Sequence, residues 1–242
     1  MVDHRGSEEP ESLQTDIDIE VGMNKELIRK TEAFLKEKFE QSEYLAEHPE
    51  VKRYRLEHSY RVANIGVQIA REEGFDETEM VIACLLHDIS YCETFGEGHQ
   101  WADHGRSSAR MVRPFLKELG LKEDRVEQIC YGIAIHVDDK ADFPGEHTPF
   151  ARTVLAADNI DRFDVYRIHE TLSYEGFLNK SLQEQIAMAE KRIADLKLWI
   201  RADLGTKSAQ AMWTERLSWQ IRFYEKLLGQ LKSSSAVLDQ EE

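Results

Sequence analysis

The stretch Cys84-Leu85-Leu86-His87-Asp88 decides how this chain reads. Met80 to Leu86 is apolar on every side, and it ends in a histidine followed at once by an aspartate. A helix that is apolar all round is buried, and a buried ionisable group is costly unless it is hydrogen-bonded, paired or bound to a metal. His87 and Asp88 therefore need partners. Asp76 and Glu79, at capping-box spacing, mark the start of this helix. Its far end, with unpaired carbonyls and the negative pole of the helix dipole, favours a cation close by.

Working outward, other ionisable residues occupy inward positions. The pair His48-Pro49 breaks the chain, and Pro49 opens a helix that Gly74 stops after Glu73. Within it His58 shares a face with Val62, Ile65 and Ile69 and so points inward. After Asp88 the segment 90–103, with Gly96, Gly98, His99 and Trp101, is predicted to be an irregular pocket wall. His104-Gly105 then opens a helix to Leu119, which Pro114 is expected to kink or split. Lys122 to Val137 is helical, and His136 follows Ile129 and Ile133 on its apolar face. Phe150 to Phe163 is a core helix by Val154, Leu155 and Ala157, yet it carries Asp158 on the same side, with Asp161 and Arg162 one turn on. An Asp158–Arg162 pair is the local alternative for that carboxylate. His147, in the polar loop 138–149, reads as solvated.

Any one inward histidine is more often a satisfied core residue than a ligand. Four histidines (His58, His87, His104, His136) and two aspartates (Asp88, Asp158) are another matter, because burying them without a shared partner is expensive. A metal centre satisfies all six. Imidazole with carboxylate suits Mn²⁺, Fe²⁺, Co²⁺, Ni²⁺ or Zn²⁺, with Mg²⁺ tolerated where oxygen ligands dominate. Cys84, Cys92 and Cys130 show no CxxC spacing, which argues against a structural zinc site and against a disulfide framework.

Around this centre, residues 1–22 are acidic and aperiodic and read as a disordered arm. Lys25 to Phe39 is an amphipathic helix capped by Asn24. Leu182, Ile186, Ala189, Ile193, Leu196 and Ile200 recur at alternating four and three, as in a coiled-coil seam. Beyond a turn at Gly205, Trp213, Leu217, Ile221, Tyr224, Leu228 and Leu231 repeat the pattern. This hairpin reads as an added packing layer, with a homodimer contact or a lid as the sharper alternative. No strand alternation, phosphate-binding glycine loop or internal repeat is present, so the fold is all-α. The expected organisation is an acidic arm over 1–22, a helical domain holding the inward histidines and aspartates over 23–170, and a hairpin with an acidic tail over 171–242. With 31 basic and 46 acidic residues the net charge is −15, which disfavours nucleic acid but leaves room for a small phosphorylated substrate beside a local cation. No apolar run reaches bilayer length and no signal peptide opens the chain, so a cytoplasmic protein without a membrane partner is expected.

The order His58, His87-Asp88, Asp158, set in Glu57-His58-Ser59, Leu86-His87-Asp88-Ile89 and Ala157-Asp158-Asn159-Ile160-Asp161, resembles the HD superfamily of metal-dependent phosphohydrolases over about residues 25–170. The resemblance implies an HD-domain helical bundle in which His58, His87, Asp88 and Asp158 bind one divalent ion, with Asp88 the catalytic residue. His104 and His136 match two further histidines of a six-ligand branch that holds two metals bridged by the aspartate of the pair. His104-Gly105-Arg106-Ser107-Ser108-Ala109 is similar to that branch's third-histidine motif, and to small bacterial HD hydrolases related to nucleotide pyrophosphatases. The chain lacks the Gly-Tyr-Pro tripeptide of the cyclic-di-GMP phosphodiesterases. It also lacks the Glu-Asp pair of the ppGpp hydrolases, since Ser90, Tyr91 and Cys92 stand there. The implied activity is cleavage of a phosphoester or phosphoanhydride of a small molecule, a nucleotide foremost, by a metal-activated water. Arg61, Arg106 and Arg162 are the expected phosphate-binding residues. The alternative, from another class, is a non-catalytic metal- or nucleotide-binding sensor or scaffold on the same fold.

Overall fold

In a computed structural model, residues 23–93 and 102–234 are described. The expectations for the arm 1–22, for Gly96, Gly98, His99 and Trp101, and for the acidic tail lie outside these residues. Among the described residues the chain forms ten α-helices and no strand. They are α1 (Lys25–Glu40), α2 (Glu43–Glu47), α3 (Pro49–Glu73), α4 (Glu77–Leu86), α5 (His104–Glu118), α6 (Glu123–Ile135), α7 (Pro149–Arg162), α8 (Val165–Tyr174), α9 (Leu182–Trp199) and α10 (Lys207–Lys232). Short 3₁₀ turns cover Ile89–Cys92 and Phe177–Asn179.

The helix ends follow local chemistry. Asn24 Oδ1 accepts from the N–H groups of Glu26 and Leu27, while Asn24 N donates to Thr78 Oγ1 at 2.8 Å and ties α1 to α4. Pro49 supplies the first residue of α3, and Gly74 ends it in the left-handed region at φ 74°. Asp76 caps α4 by accepting from Glu79 N at 2.9 Å. The expected capping box is only half made, because the Glu79 carboxylate turns to Arg125 of α6, whose Nε lies 2.7 Å away. A guanidinium is a stronger partner for this buried carboxylate than one backbone N–H.

The expected split at Pro114 is corrected: α5 runs unbroken from His104 to Glu118. Val112 and Leu116, on either side of it, are fully buried, so packing holds the turn that has lost its N–H donor. Two short helices, α2 and α8, stand between the elements expected from the sequence.

One apolar core is built by α1 to α7 around Leu35, Leu45, Val62, Met80, Leu86, Val112, Ile129 and Val154. A second joins Ile69, Ala156 and Ile160, on α3 and α7, to Ile168, Ile193, Trp213, Leu217 and Tyr224 of the C-terminal helices. The hairpin α9–α10 is thus seated on the two helices that carry His58 and Asp158. Two glycines allow close helix approach: a Cβ on Gly66 would lie 2.5 Å from Cys84 Sγ, and one on Gly105 would lie 2.8 Å from Ala134 O. No described helix is long and apolar enough to cross a membrane.

Candidate metal centre

Five helices bring the six inward residues to one point. His58 stands in α3 and Asp158 in α7. His87 and Asp88 follow the last turn of α4, His104 is the first residue of α5, and His136 follows α6. All six are buried, His87 completely.

Asp88 sits at the middle. Its Oδ1 lies 3.2 Å from His104 Nε2 and 3.4 Å from His136 Nε2. Its Oδ2 lies 3.6 Å from both His58 Nε2 and His87 Nε2. Asp158 Oδ1 closes the second group, at 3.2 Å from His58 Nε2 and 3.8 Å from His87 Nε2. His58–His87–Asp88, His87–His136–Asp158 and Asp88–His104–His136 each offer three ligand atoms within 4.8 Å of one another.

The tautomers show what these atoms present. His87 Nδ1 donates to Cys84 O at 2.7 Å and His136 Nδ1 to Ile133 O at 2.6 Å. A carbonyl only accepts, so both rings carry a proton on Nδ1 and turn Nε2 inward; against burial, Asp88 raises the pKa of His136. His58 Nδ1 donates to Asp161 Oδ2 at 2.7 Å, and that carboxylate is also held by Arg61 Nε at 2.7 Å. The Nε2 atoms then face each other, His58 to His87 at 3.3 Å and His104 to His136 at 3.1 Å. Such contacts between acceptors hold only with a cation or a proton between them. The donor set, nitrogen with carboxylate oxygen and no thiolate, fits a divalent transition metal.

The charges agree. Burial pushes His87 down to about 4 and keeps it neutral. Burial would lower His58 too, but Asp158 and Asp161 prevail and raise it to about 9. Burial works against ionised Asp88, yet His87, hydrogen bonds from His104 and His136, and Arg55 hold it well below the usual carboxylate range. Asp158 is likewise held low against burial, chiefly by His58 and His87. The three thiols are inert: burial pushes Cys92 up to about 11 and Cys130 to about 12, and Cys84 is raised as well.

A cavity of about 480 Å³ opens above Asp88 and Asp158, and Tyr54, Arg55, Tyr91, Arg162 and Arg167 stand along its wall. Of the three arginines expected from the sequence, only Arg162 lines it. Arg61 is turned to Asp161 behind His58. Arg106 is tied to Asp103, to Asp138 at 2.8 Å and to the carbonyls of Ala102 and Lys140. It comes two residues after His104, about 200° round the helix, and so faces elsewhere. His147 reaches Tyr131 Oη and Asp139, both at 3.0 Å, away from the cavity.

Arg55, Tyr54, Asp161 and Arg167 were missed as site residues. Arg55 Nη1 lies 2.8 Å from Asp88 Oδ2, and its guanidinium lies 3.4 Å from the centre of the Tyr91 ring. Arg55 and Tyr54 stand three and four residues before His58, on its own helix face, so spacing alone could have found them. Asp161 sits one turn after Asp158 in the same way. Arg167 lies on α8, where no local signal pointed to the cavity.

Residues 55–163 match the family model described as HD domain. Among solved structures, a predicted HD superfamily hydrolase from an uncultured Thermotogales bacterium is similar, at 21% identity and a TM-score of 0.56, with 84% of this chain and 91% of that chain covered. At that identity the likeness speaks for the fold. A comparison with curated proteins finds no match.

Proposed function

With residues 55–163 belonging to the HD superfamily, we propose that this protein is a metal-dependent phosphohydrolase that cleaves a phosphoester or phosphoanhydride of a small molecule, a nucleotide being the leading class. One observation carries the reading: two pairs of buried imidazole nitrogens converge on the two oxygens of Asp88, beneath a cavity edged with arginines. His58, His87, Asp88 and Asp158 would hold one divalent ion, and the other oxygen of Asp88 with His104 and His136 a second. When bound, such ions supply Lewis acidity and a lowered pKa for water, which phosphoester hydrolysis at neutral pH needs.

The surrounding side chains bind and orient. Asp88, ionised and anchored by Arg55, keeps one oxygen on each imidazole pair. Arg162 is half exposed, and its Nη1 lies 3.7 Å from Asp158 Oδ2. Its fork is therefore open to phosphate oxygens beside the donors. Arg167 stands next to it with Nη2 3.3 Å from Tyr54 Oη. Tyr54 and Tyr91 give the cavity flat faces of the kind a nucleobase stacks on. The chain's charge of −15 repels long polyanions and leaves these arginines as a local exception, which favours a small anionic substrate.

The test is a phosphatase screen of metal-stripped protein. It covers nucleotides, sugar phosphates and an aryl phosphate, each with Mg²⁺, Mn²⁺, Co²⁺, Ni²⁺ or Zn²⁺, beside Asp88→Ala. Turnover that requires both a metal and Asp88 is the expected result. A folded, metal-loaded protein that is silent throughout would overturn the reading in favour of a metal- or nucleotide-binding sensor.

A further inference from the structure

We infer that the C-terminal hairpin belongs to the substrate-recognition machinery: through Gln220 and Arg216 it fixes the corner between α7 and α8 and so positions Arg162 and Arg167 at the mouth of the cavity. The inference rests on the phosphohydrolase reading and gives a task to helices that lie beyond the HD-matching segment.

Arg162 is the last residue of α7 and Arg167 the third of α8. Between them Phe163 and Asp164 form a tight corner. Its internal bonds carry both arginines as one unit: Arg167 N donates to Asp164 O at 3.0 Å and Arg167 Nε to Arg162 O at 3.2 Å. A corner of two residues at a cavity mouth would ordinarily satisfy its carbonyls with water. Here Gln220 of α10, fully buried, donates from Nε2 to Phe163 O at 2.7 Å and to Asp164 O at 3.3 Å. Gln220 is itself held, its Oε1 accepting from Arg192 Nη2 at 3.3 Å. Arg216, one turn earlier on α10, pairs with the Asp164 carboxylate at 2.9 Å. The Phe163 ring meets the edges of Trp199 and Trp213 at 5.3 and 5.0 Å between centroids. Both helices of the hairpin thus grip the corner from which the two arginines project.

Burying an amide is unfavourable unless its bonds are made. An apolar side chain at position 220 would pack the hairpin equally well, but only a donor fixes two successive carbonyls. Gln220 and Arg216 are therefore positioning residues for Arg162 and Arg167. They touch none of the six metal donors, so removing them separates phosphate recognition from metal binding.

The experiment is calorimetric titration of metal-loaded full-length protein with inorganic phosphate, alongside metal affinity by chelator competition. Gln220→Met should weaken phosphate binding by about 5- to 20-fold, less than the about 100-fold that a full 1 Å misplacement can cost, with metal affinity unchanged. Arg216→Gln, at a partly exposed position, should shift it in the same direction. Leu231→Ala, which opens the hairpin core away from the corner, should lower the melting temperature and leave phosphate affinity alone. The inference is overturned if both corner variants bind phosphate like the parent while Arg162→Gln does not, or if Leu231→Ala weakens it equally. If the parent protein holds metal but binds no phosphate, the phosphohydrolase reading falls and the inference falls with it.

Discussion

Asp88 divides its two carboxylate oxygens between two pairs of imidazoles, and His58, His87 and His136 have their other nitrogen hydrogen-bonded. The clearest case is His58, whose Nδ1 is held by Asp161, which Arg61 holds in turn. Partners of this kind orient a ligand and raise its basicity, and their loss typically costs about 10- to 100-fold in metal affinity. Asp161→Asn keeps the shape and removes the charge, so it should show a loss of that size by chelator competition; an unchanged affinity would remove Asp161 from the centre. His58 also sets a pH dependence. Its pKa is raised from 6.5 to about 9 by the flanking carboxylates, against burial. In the metal-free protein that proton contributes stability which is complete below about pH 6.5 and is lost as pH rises through about 9. A metal has to displace it, so binding near neutral pH should release a proton and apparent affinity should climb towards pH 9. Titration heats that differ between buffers of different ionisation enthalpy would show the release; heats independent of buffer would contradict it.

At the scale of elements, the centre depends on how closely helices approach at their ends. The first turn of α5 lies against the last turn of α6, and Gly105 is the contact. A Cβ there would stand 2.8 Å from Ala134 O, 2.9 Å from Ile133 O and 3.1 Å from His136 Nδ1. Ile133 O is the acceptor that fixes the His136 ring. Gly105→Ala should therefore push His104 away from His136, cost about 1–3 kcal/mol as overpacking does, and weaken metal binding at that pair while sparing His58 and His87. Urea melts beside metal titration check both parts. Gly66 plays the same part between α3 and α4, where a Cβ would meet Cys84 Sγ at 2.5 Å. Gly66→Ala should cost a similar amount, and Cys84→Ala should recover part of it, because residues in contact do not add. Simple additivity in a double-mutant cycle would refute the contact.

For the whole molecule, the two cores share α3 and α7, so the C-terminal layer and the metal donors rest on the same helices. Metal bound to the folded state alone should stabilise everything together. At about 100 times its Kd the gain is about 2.7 kcal/mol, which for a chain of this size is a rise in melting temperature of roughly 5–11 °C. Chelator should reverse the rise, and Asp88→Ala should not show it. A melting temperature indifferent to metal and chelator would mean that the six donors are only a buried polar network.

Much of this was legible in local order. Pro49 and Gly74 bound α3 because a ring that fixes φ suits the first turn and a missing Cβ suits the left-handed stop. His58, His136 and Asp158 could be turned inward by counting, because helical periodicity is a property of neighbours three and four apart. The arginines were not legible in that way. Arg61 lies one turn from His58 but is claimed by Asp161, 100 residues away. Arg167 lines the cavity from α8, beyond a corner that Gln220 of α10, 53 residues later in the chain, contacts. The sequence by itself determined most of the helices, their buried faces and the six inward histidines and aspartates, since those follow from short-range spacing and the cost of burying charge. Only the tertiary structure decided which cation meets which carboxylate, because a long, freely rotating side chain takes the partner that packing brings within reach.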